Sequence, residues 1–575
     1  MLLLRFILYS FFIFSNLDHT PKDKNIFAPP VKIPVLLSAN FGELRIDHFH
    51  SGVDIKTQGV TGIEVFSSAD GYVNRISVSP TGFGKALYVR HPSGYSTVYA
   101  HLQRFSPEIE AYVKAVQYER KSFPVTLFPP KDKFPVKQGD LIAWSGNSGS
   151  SGGPHLHFEV READDELPVN PLLFSFGIND HTRPAIEKLA VYPLGSNTYI
   201  NNRQSKVVMN VIRVKPGQYT IPQDKEIIIS GNAGFGIKLY DLLDGSSNKC
   251  EAYSIKLDID STTVFKYVMD GFSFNESRYI NSHIDYETWM KDNIRIQRTY
   301  ALPNDKLSTY KTLLNRGIYR FNDEKLHNVN ITITDAGNNE SRLSFNVRSI
   351  PERPVLSELS SAAEKEKVMS FSGTNKFNTD DISVSIPSGA LYDTLNFTYK
   401  KSHGTPVMLS DLHSVHNKYT PLQKAYSLSI KPTRIIKGKE SKMLIVQLND
   451  NMSKTPVSST FSDGFLKADI LSFGNFYVGI DTIAPSIYAP SLSPGIDLTG
   501  RKEIRIKIKD DFSGIKSYEP FVDGKWALFE YDPKNEVIIY RFDEKYLSKG
   551  SLHNLSLKVT DNRDNESDYY CDFKW

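Results

Sequence analysis

Six of the fourteen histidines in this chain lie between residues 48 and 157, less than a fifth of the sequence. Two motifs in this stretch have metal-ligand spacing: His50 and Asp54 are four residues apart, and His155 and His157 are two apart. A catalytic zinc site takes three protein ligands of imidazole or carboxylate type and keeps one position open for water. The two motifs and the histidines around them supply more imidazole than three ligands need, which indicates hydrolytic chemistry.

The segment that carries His155 and His157 is predicted to be a strand, as Leu-His-Phe-Glu-Val-Arg suggests. Residues two apart in a strand project from the same face, so one imidazole can bind a metal while the other lies nearby as a base. His50 and Asp54, with Gly52 between them, are predicted to lie on a loop that leads into another strand. His157, His50 and Asp54 would leave one tetrahedral position open.

Two further histidines are not expected to be ligands. A single histidine at a strand end is more often an ordinary polar residue than a ligand. By spacing alone His48 could compete as a ligand, but only His50 stands four residues before Asp54 with a glycine between. His91 is interpreted as a surface residue, because it lies beside a turn of the predicted hairpin.

A Gly/Ser-rich segment, residues 145–154, precedes His155. Ser145, Ser148 and Ser150 in this segment raise the alternative of a serine nucleophile. These serines are interpreted as loop-forming residues of the Gly/Ser-rich segment.

The combination of His50-x-Gly-x-Asp54, Tyr99-Ala-His101-Leu and Gly146-Asn-Ser-Gly followed by Pro154-His155-Leu-His157-Phe-Glu resembles the lysostaphin/LytM-type zinc metalloendopeptidases. These secreted or periplasmic enzymes cut the peptide part of peptidoglycan. The resemblance covers residues 36–162, about a quarter of the chain. It implies a small, mostly antiparallel β domain with a groove over a single zinc ion.

Carried over by motif, the resemblance implies that His50, Asp54 and His157 bind Zn²⁺, one ion per chain. It implies that His155 is the catalytic base, and that His101 is a second catalytic histidine that orients the water or stabilises the oxyanion. The implied substrates are peptide cross-links or stem peptides of bacterial peptidoglycan. The alternative is an inert LytM-like activator of a cell-wall amidase, but such relatives have typically lost ligands and none is missing here.

Composition narrows the class of protein. The chain has 575 residues, too many for one core, so several domains are expected. The net charge is +3 and there is no basic tail or stripe, so nucleic acid is not an expected partner. Aromatic residues make up 12% of the chain, which with frequent β-branched residues predicts a mainly β fold. Cys250 and Cys571 either pair across domains or remain two buried thiols.

The first sixteen residues are predicted to be a signal peptide or an N-terminal anchor, because residues 2–14 are almost entirely apolar or aromatic. The protein is therefore expected to be exported to the periplasm or cell envelope. No later stretch approaches the apolar length of a membrane helix.

The peptidase domain is predicted to span residues 30–176. Within it, a hairpin is expected around Pro92-Ser-Gly, and a helix over residues 107–120, with proline at its start and acidic residues in its first turn. The segment 103–138 is longer than the family usually has and is expected to form one wall of the substrate groove.

The remaining chain contains a weak repeat. Residues 318–341 and 539–567 share the same order of short motifs. Each begins with Ile-Tyr-Arg-Phe, continues with His-Asn and a predicted strand that ends in Thr-Asp, and closes with Asn-Glu-Ser. These copies predict Ig-like β-sandwiches at 177–350, with an insertion around 250–315, and at 478–575. A β-rich middle module is predicted at 351–477, with some likeness to ZU-type modules. These domains are expected to position the enzyme near the wall or bind an envelope protein partner. An envelope scaffold or adhesion protein is the alternative.

Overall fold

A computed structural model describes residues 23–352 and 367–575. Strands make up 46% and helices 8% of the described residues, which confirms the mainly β class. The signal or anchor predicted at residues 1–16 lies outside the described residues. Among the residues that are described, no helix has the length and apolar character needed to cross a membrane.

The first domain consists of short strands and one long helix. In chain order its elements are β1 (Leu37–Ala39), β2 (Leu44–Arg45), β3 (His48–Phe49), β4 (Val53–Lys56), β5 (Glu64–Phe66), β6 (Gly71–Val78), β7 (Lys85–Arg90), β8 (Tyr95–Leu102), β9 (Arg104–Phe105), α1 (Pro107–Arg120), β10 (Val125–Leu127), β11 (Pro135–Val136), β12 (Leu141–Trp144), β13 (His155–Glu162), β14 (Pro168–Val169) and a 3₁₀ turn, Pro171–Leu173.

Strand β13 lies between β4 and β8 in the site-bearing sheet, whose order is β1-β4-β13-β8-β7-β6-β10. Its neighbours are antiparallel, and they place Asp54 of β4 and Ala100 of β8 on either side of His157. The predicted hairpin is formed by β7 and β8. Residues far apart in sequence are thus brought together by the pairing of β13 with β4 on one side and with β8 on the other.

Helix α1 has the predicted bounds. Pro107 occupies its first turn together with the acidic Glu108 and Glu110, and Lys121 ends it in the left-handed conformation. Proline loses no needed hydrogen bond in a first turn, and acidic side chains there interact favourably with the helix dipole. Ile109 and Val113 bury one side of the helix in the core of the first domain.

The second domain has one large, irregular sheet. Its elements are β15 (Ala185–Pro193), β16 (Tyr199–Ile200), β17 (Val207–Asn210), β18 (Ile212–Lys215), β19 (Gln218–Thr220), β20 (Ile227–Tyr240), β21 (Ser254–Ile259), β22 (Thr262–Val268), a 3₁₀ turn (Phe274–Tyr279), α2 (Ile280–His283), α3 (Tyr286–Asp292), β23 (Gln297–Arg298), β24 (Tyr310–Leu313), a 3₁₀ turn (Leu314–Gly317), β25 (Tyr319–Phe321), β26 (Leu326–Thr334) and β27 (Glu340–Ser349).

The third domain contains two five-stranded sheets and one two-stranded sheet around a common core, and the fourth contains two sheets around its own core. The third comprises β28 (Lys367–Met369), β29 (Asn375–Asn378), β30 (Ile382–Ile386), β31 (Leu395–Phe397), β32 (Tyr399–Ser402), β33 (Leu412–Val415), β34 (Tyr426–Ile430), a 3₁₀ turn (Glu440–Lys442), β35 (Met443–Leu448), β36 (Lys454–Val457), β37 (Thr460–Ser462), β38 (Phe465–Ile470) and β39 (Gly474–Ile480). The fourth comprises β40 (Ser486–Tyr488), β41 (Ile496–Asp497), β42 (Glu503–Lys509), β43 (Ile515–Val522), β44 (Lys525–Trp526), β45 (Phe529–Asp532), β46 (Val537–Arg541), β47 (Leu552–Asp561) and β48 (Glu566–Lys574).

The predicted repeat corresponds to equivalent hairpins. Strand β26 pairs with β27 as β47 pairs with β48, and in both hairpins a threonine faces the glutamate that begins the second strand. Strand β21 pairs with β26 as β43 pairs with β47. The part of the predicted insertion that forms β21 and β22 therefore belongs to the repeated sheet, and the insertion proper begins after Val268.

The fourth domain packs against the first. The rings of Tyr118 on α1 and Tyr546 stack with centroids 3.7 Å apart. Lys114, also on α1, pairs with Asp543 at 2.5 Å. Lys85 of β7 pairs with Glu530 of β45 at 3.2 Å. The predicted groove-wall segment is thus partly covered by the fourth domain.

Both cysteines are buried and unpaired. Cys250 packs in the core that includes the first domain, and Cys571 packs in the core of the fourth. Of the two alternatives from sequence, the structure contains two buried thiols.

Candidate metal centre

Three side-chain atoms converge at one point of the first domain. Nε2 of His50, Oδ1 of Asp54 and Nδ1 of His157 lie 2.9 to 3.1 Å from one another. All three residues are buried. Ligands about 2.0–2.1 Å from a tetrahedral zinc ion lie about 3.3 Å apart, so the triangle is slightly compact but of the right size. Two imidazole nitrogens and one carboxylate oxygen form a donor set that fits zinc.

The outer nitrogens of the two imidazoles are held by acceptors. Nδ1 of His50 lies 2.8 Å from the carbonyl oxygen of Asn40, and Nε2 of His157 lies 2.9 Å from Oε1 of Glu159. With a metal bound, these outer nitrogens would keep the ring protons and donate them, and the inner nitrogens would present their lone pairs to the centre. Histidine ligands of metals are oriented in this way by an outer acceptor.

Gly52 is required by the close approach of β13. A Cβ atom at this position would collide with the carbonyl oxygen of Phe158 and lie 3.1 Å from Cε1 of His157. Any side chain there would push the His50 segment away from His157. The glycine in the motif therefore has a packing role beside the candidate metal ligands.

Glu159 is a functional residue that was not assigned a role from the sequence. It is fully buried and also accepts from Arg161 Nε and Ser51 Oγ, each at 2.5 Å. Burial would raise the pKa of Glu159, but the Arg161 guanidinium and His157 lower it to about 2. Its signal was present in the sequence, because residue 159 lies two positions after His157 on the same strand face.

The carboxylates make this point attractive to positive charge. Burial by itself would lower the pKa of His157, but hydrogen bonds to Asp54 and Glu159 raise it to about 9. The charge of His50, together with hydrogen bonds from the surrounding histidines, holds the pKa of Asp54 well below its usual value despite its burial. A cation at the centre would be stabilised by the same negative groups.

His155 and His101 lie on one side of this triangle. Nε2 of His155 is 3.4 Å from Oδ1 of Asp54, and its Nδ1 is 2.8 Å from the carbonyl oxygen of Gly153. The ring of His101 lies 4.8 Å from that of His155, and its Nδ1 is 2.9 Å from the carbonyl oxygen of Ser148. Since both Nδ1 atoms contact carbonyl oxygens of the loop as donors, each ring in its neutral form would keep Nε2 as an acceptor.

The backbone of His101 is in the left-handed region, with φ of 57°. This conformation is uncommon for a residue with a side chain and is often found at functional sites. Burial, followed by the charges of His157 and His155, lowers the pKa of His101 to about 3. His101 is therefore neutral near pH 7.

The Gly/Ser-rich loop is held by its own serines. Ser148 Oγ accepts from the backbone N–H of Lys85 at 2.9 Å, and Ser150 Oγ accepts from Gly82 N–H at 2.9 Å. These contacts agree with the interpretation of the serines as loop-forming residues. Gly149 has φ of 69° and packs against Gly84, where a Cβ atom would not fit.

A lysine of the fourth domain reaches the same loop. Lys534 Nζ donates to the carbonyl and side-chain oxygens of Asn147, the latter at 3.3 Å, and to the carbonyl oxygen of Ser151 at 3.0 Å. Asn147 and Ser151 flank Ser148, whose carbonyl holds His101. No local sequence signal could reveal this contact, because it joins residues up to 387 positions apart.

The two remaining histidines differ from each other. His48 is exposed, as expected for a bystander, with its Nδ1 2.8 Å from the carbonyl oxygen of Ile46. The prediction that His91 is a surface residue was wrong. It is 4% exposed and bonds the Asp70 carbonyl oxygen and Thr97 Oγ1 at 2.9 and 2.8 Å. The turn is exposed, but the ring points inward against Phe27.

The fold and the metal-binding geometry define a mainly β domain of metallopeptidase type. Residues 48–118 match the model of peptidase family M23, and the chain therefore contains a peptidase M23 domain. Residues 366–481 match the model of a Zu5-like domain, which overlaps the predicted middle module.

Two curated relatives illustrate the likeness. An uncharacterized metalloprotease of Haemophilus influenzae is 36% identical over 123 residues, or 21% of this chain and 20% of the relative. A DD-carboxypeptidase/endopeptidase of Neisseria meningitidis serogroup B is 33% identical over 123 residues, or 21% of this chain and 22% of the relative. The chain thus spans about a fifth of the length of these relatives. A solved zinc-containing peptidase from Vibrio cholerae is 28% identical with a TM-score of 0.20, over 26% of this chain and 40% of that one.

Proposed function

We propose that the chain is a zinc metalloendopeptidase that hydrolyses peptide cross-links or stem peptides of bacterial peptidoglycan. The observation that carries this proposal is the buried triangle of His50, Asp54 and His157, with two further imidazoles on one side of it. The M23 match and the name of the Neisseria relative support the reaction class. An inert activator is not favoured, because every residue of the expected site is in place.

In this proposal His50, Asp54 and His157 hold one zinc ion. When bound, zinc acidifies water and polarises a carbonyl group. His155 Nε2 accepts the proton of the attacking water and then passes it to the leaving amine. His101 Nε2 accepts a hydrogen bond from the same water and orients it. Because Nδ1 of His101 is committed to the Ser148 carbonyl, orientation suits the neutral ring better than donation to an oxyanion.

Digestion of cell walls tests the proposal directly. The zinc-loaded full chain is incubated with purified sacculi of several cross-link types, and the products are identified by mass spectrometry. We expect new peptide ends at cross-links or within stem peptides. An amidase activator would release no peptide products by itself. Intact cross-links and stems in every type of sacculus would refute the endopeptidase proposal.

We further propose that Lys534 positions the catalytic loop. Lys534→Ala is expected to lower kcat/KM about tenfold, because a small displacement of catalytic groups has large effects on rate. Activity on soluble muropeptides and zinc content are the measurements. A pure positioning role predicts unchanged zinc content and partial rescue by Lys534→Arg. The matched control is Lys507→Ala, an exposed lysine of β42 in the same domain. Equal activity of both alanine variants would contradict the role.

The site of action follows from the proposed substrate. A peptidoglycan hydrolase acts in the periplasm or cell envelope, so we propose export, with the three C-terminal β domains, two of them Ig-like, placing the enzyme at the wall. An envelope protein partner, if bound through these domains, must use surfaces other than the part of the fourth domain that contacts α1 and β7.

A further inference from the structure

Three aspartates of the second domain form a cluster, and none of them belongs to the histidine motifs. One carboxylate oxygen from each of Asp180, Asp241 and Asp335 lies within 4.8 Å of the others. Asp241 is 3% exposed and Asp335 is 1% exposed. Among residues 23–352 and 367–575, none of the three forms an ion pair with lysine or arginine. Three carboxylates packed so closely without a cation repel one another strongly.

One of the three aspartates has a carboxylate oxygen that lacks a hydrogen-bond donor. Asp335 has both oxygens held by Asn339, through its backbone N–H at 2.8 Å and its side-chain amide at 2.9 Å. Asp180 accepts from the backbone N–H of Thr182 at 3.0 Å. Oδ1 of Asp241, however, is buried and has no hydrogen-bond partner in the described chain. A buried carboxylate oxygen without a donor is unfavourable, and buried charges are normally paired or bind metals.

The fourth domain contains the same scaffold and provides an internal comparison. Asp481, Asp510 and Asp561 also bring three oxygens within 4.8 Å. Asn565 holds both oxygens of Asp561, at 2.9 and 2.7 Å, as Asn339 holds those of Asp335. Both asparagine side chains also donate to the backbone oxygen of the first aspartate. The two clusters therefore occupy equivalent positions of the repeat.

The clusters differ at their middle aspartate. Asp510 Oδ1 accepts from the backbone N–H groups of Phe512 at 3.0 Å and Gly514 at 2.6 Å. Arg563 also lies close enough to interact with Asp481 and Asp561. The fourth-domain cluster is thus satisfied by its own chain. In the second-domain cluster, by contrast, Oδ1 of the middle aspartate has no donor, and no lysine or arginine of the described residues forms an ion pair with the three carboxylates.

We propose that Asp180, Asp241 and Asp335 bind one divalent cation of the calcium type. Carboxylate oxygens are the ligands that hard cations such as Ca²⁺ prefer, whereas the histidine-rich centre of the first domain suits zinc. The cation takes the place of the missing donor at Asp241 Oδ1 and offsets the repulsion among the three carboxylates.

The segment that follows Asp241 connects this cluster to the zinc centre. Asp241 and Cys250 exchange two backbone hydrogen bonds of 2.9 and 2.8 Å. The next residue, Glu251, is held by the side chain of Asn40 through bonds of 2.7 and 3.1 Å. The carbonyl oxygen of Asn40 orients His50. A cation at Asp241 would therefore stabilise a segment that packs against the His50 support; this consequence rests on the proposed function.

Calcium titration of the full chain tests the site. The protein is stripped with chelator, reloaded with one equivalent of zinc, and titrated with CaCl₂ by calorimetry and thermal unfolding. We expect one Ca²⁺ per chain, with a Kd of about 10⁻⁴ M, as for extracellular calcium modules, and a raised Tm. Asp241→Asn should weaken binding at least about tenfold, whereas the matched Asp510→Asn should leave it unchanged.

The outcome does not depend on peptidase activity. Asp241→Asn removes a buried charge, so this variant is expected to fold at least as well as the wild type without calcium, and a second variant, Asp180→Asn, checks the result. Calcium binding should also persist in a His157→Ala chain, which separates this proposal from the proposed function. No heat and no Tm shift at about 10 mM CaCl₂, a hundredfold above the expected Kd, would refute the site. Equal loss in Asp241→Asn and Asp510→Asn would also refute it.

Discussion

Replacement of His157 by alanine is expected to abolish both zinc retention and peptide hydrolysis. Nδ1 of His157 is one of three converging atoms, and His50 and Asp54 alone leave only two protein ligands. Catalytic zinc sites require three. The measurements are zinc content after dialysis and cleavage of cross-linked muropeptides. The activity of the variant should fall to that of chelator-treated wild type. Added zinc should restore the activity of the treated wild type but not that of the variant.

A control is needed because His157 is buried and also bonds Glu159. His48→Ala, two residues before His50, should retain zinc and full activity. Asp54→Asn tests the same centre with little change of volume, and circular dichroism reports whether each variant is folded. Stoichiometric zinc together with wild-type hydrolysis in folded His157→Ala would exclude the ligand assignment.

Replacement of His155 by alanine is expected to lower kcat/KM by about 10²–10⁴, the usual contribution of a general base, while zinc is retained. His155 Nε2 lies 3.4 Å from Asp54 Oδ1, outside the closer triangle, and its Nδ1 is anchored to Gly153. The test compares zinc content and muropeptide cleavage in the same preparation. The His101→Ala variant should behave similarly, because it removes the second acceptor.

The two histidine variants distinguish base from ligand. If His155→Ala loses zinc as completely as His157→Ala, His155 belongs to the ligand set and the proposed division of roles fails. If it keeps both zinc and full hydrolysis, a different group accepts the proton. Only retained zinc with lost turnover agrees with the assignment.

The site motifs could be predicted because each is local. The spacing of His50 and Asp54, and the strand that carries His155 and His157, are properties of a few neighbouring residues. Their convergence depends on the register of β13 with β4. The family resemblance implied that these residues converge, whereas their spacing in the sequence did not. Glu159 could have been assigned from its position two residues after His157.

Other features depend on contacts that no short pattern contains. Asn40 supports His50 through a backbone oxygen, which any residue type could provide, and Lys534 comes from another domain. His91 was misassigned because the exposure of a turn does not determine the direction of the adjacent side chain. The repeat predicted equivalent hairpins, in which Asp335 and Asp561 stand at the end of the first strand. The other two aspartates of each three-aspartate cluster come from other segments of the chain.

The contact of Lys534 with the Asn147 loop also bears on when the enzyme becomes competent. The ribosome makes the loop 383 residues before it makes the lysine that binds Ser151. A nascent or prematurely terminated chain thus carries all five residues of the proposed zinc and proton chemistry without the lysine that contacts their loop. Under the proposed function, this arrangement would link full hydrolytic capacity to the integrity of the polypeptide and would limit wall cleavage by unfinished copies.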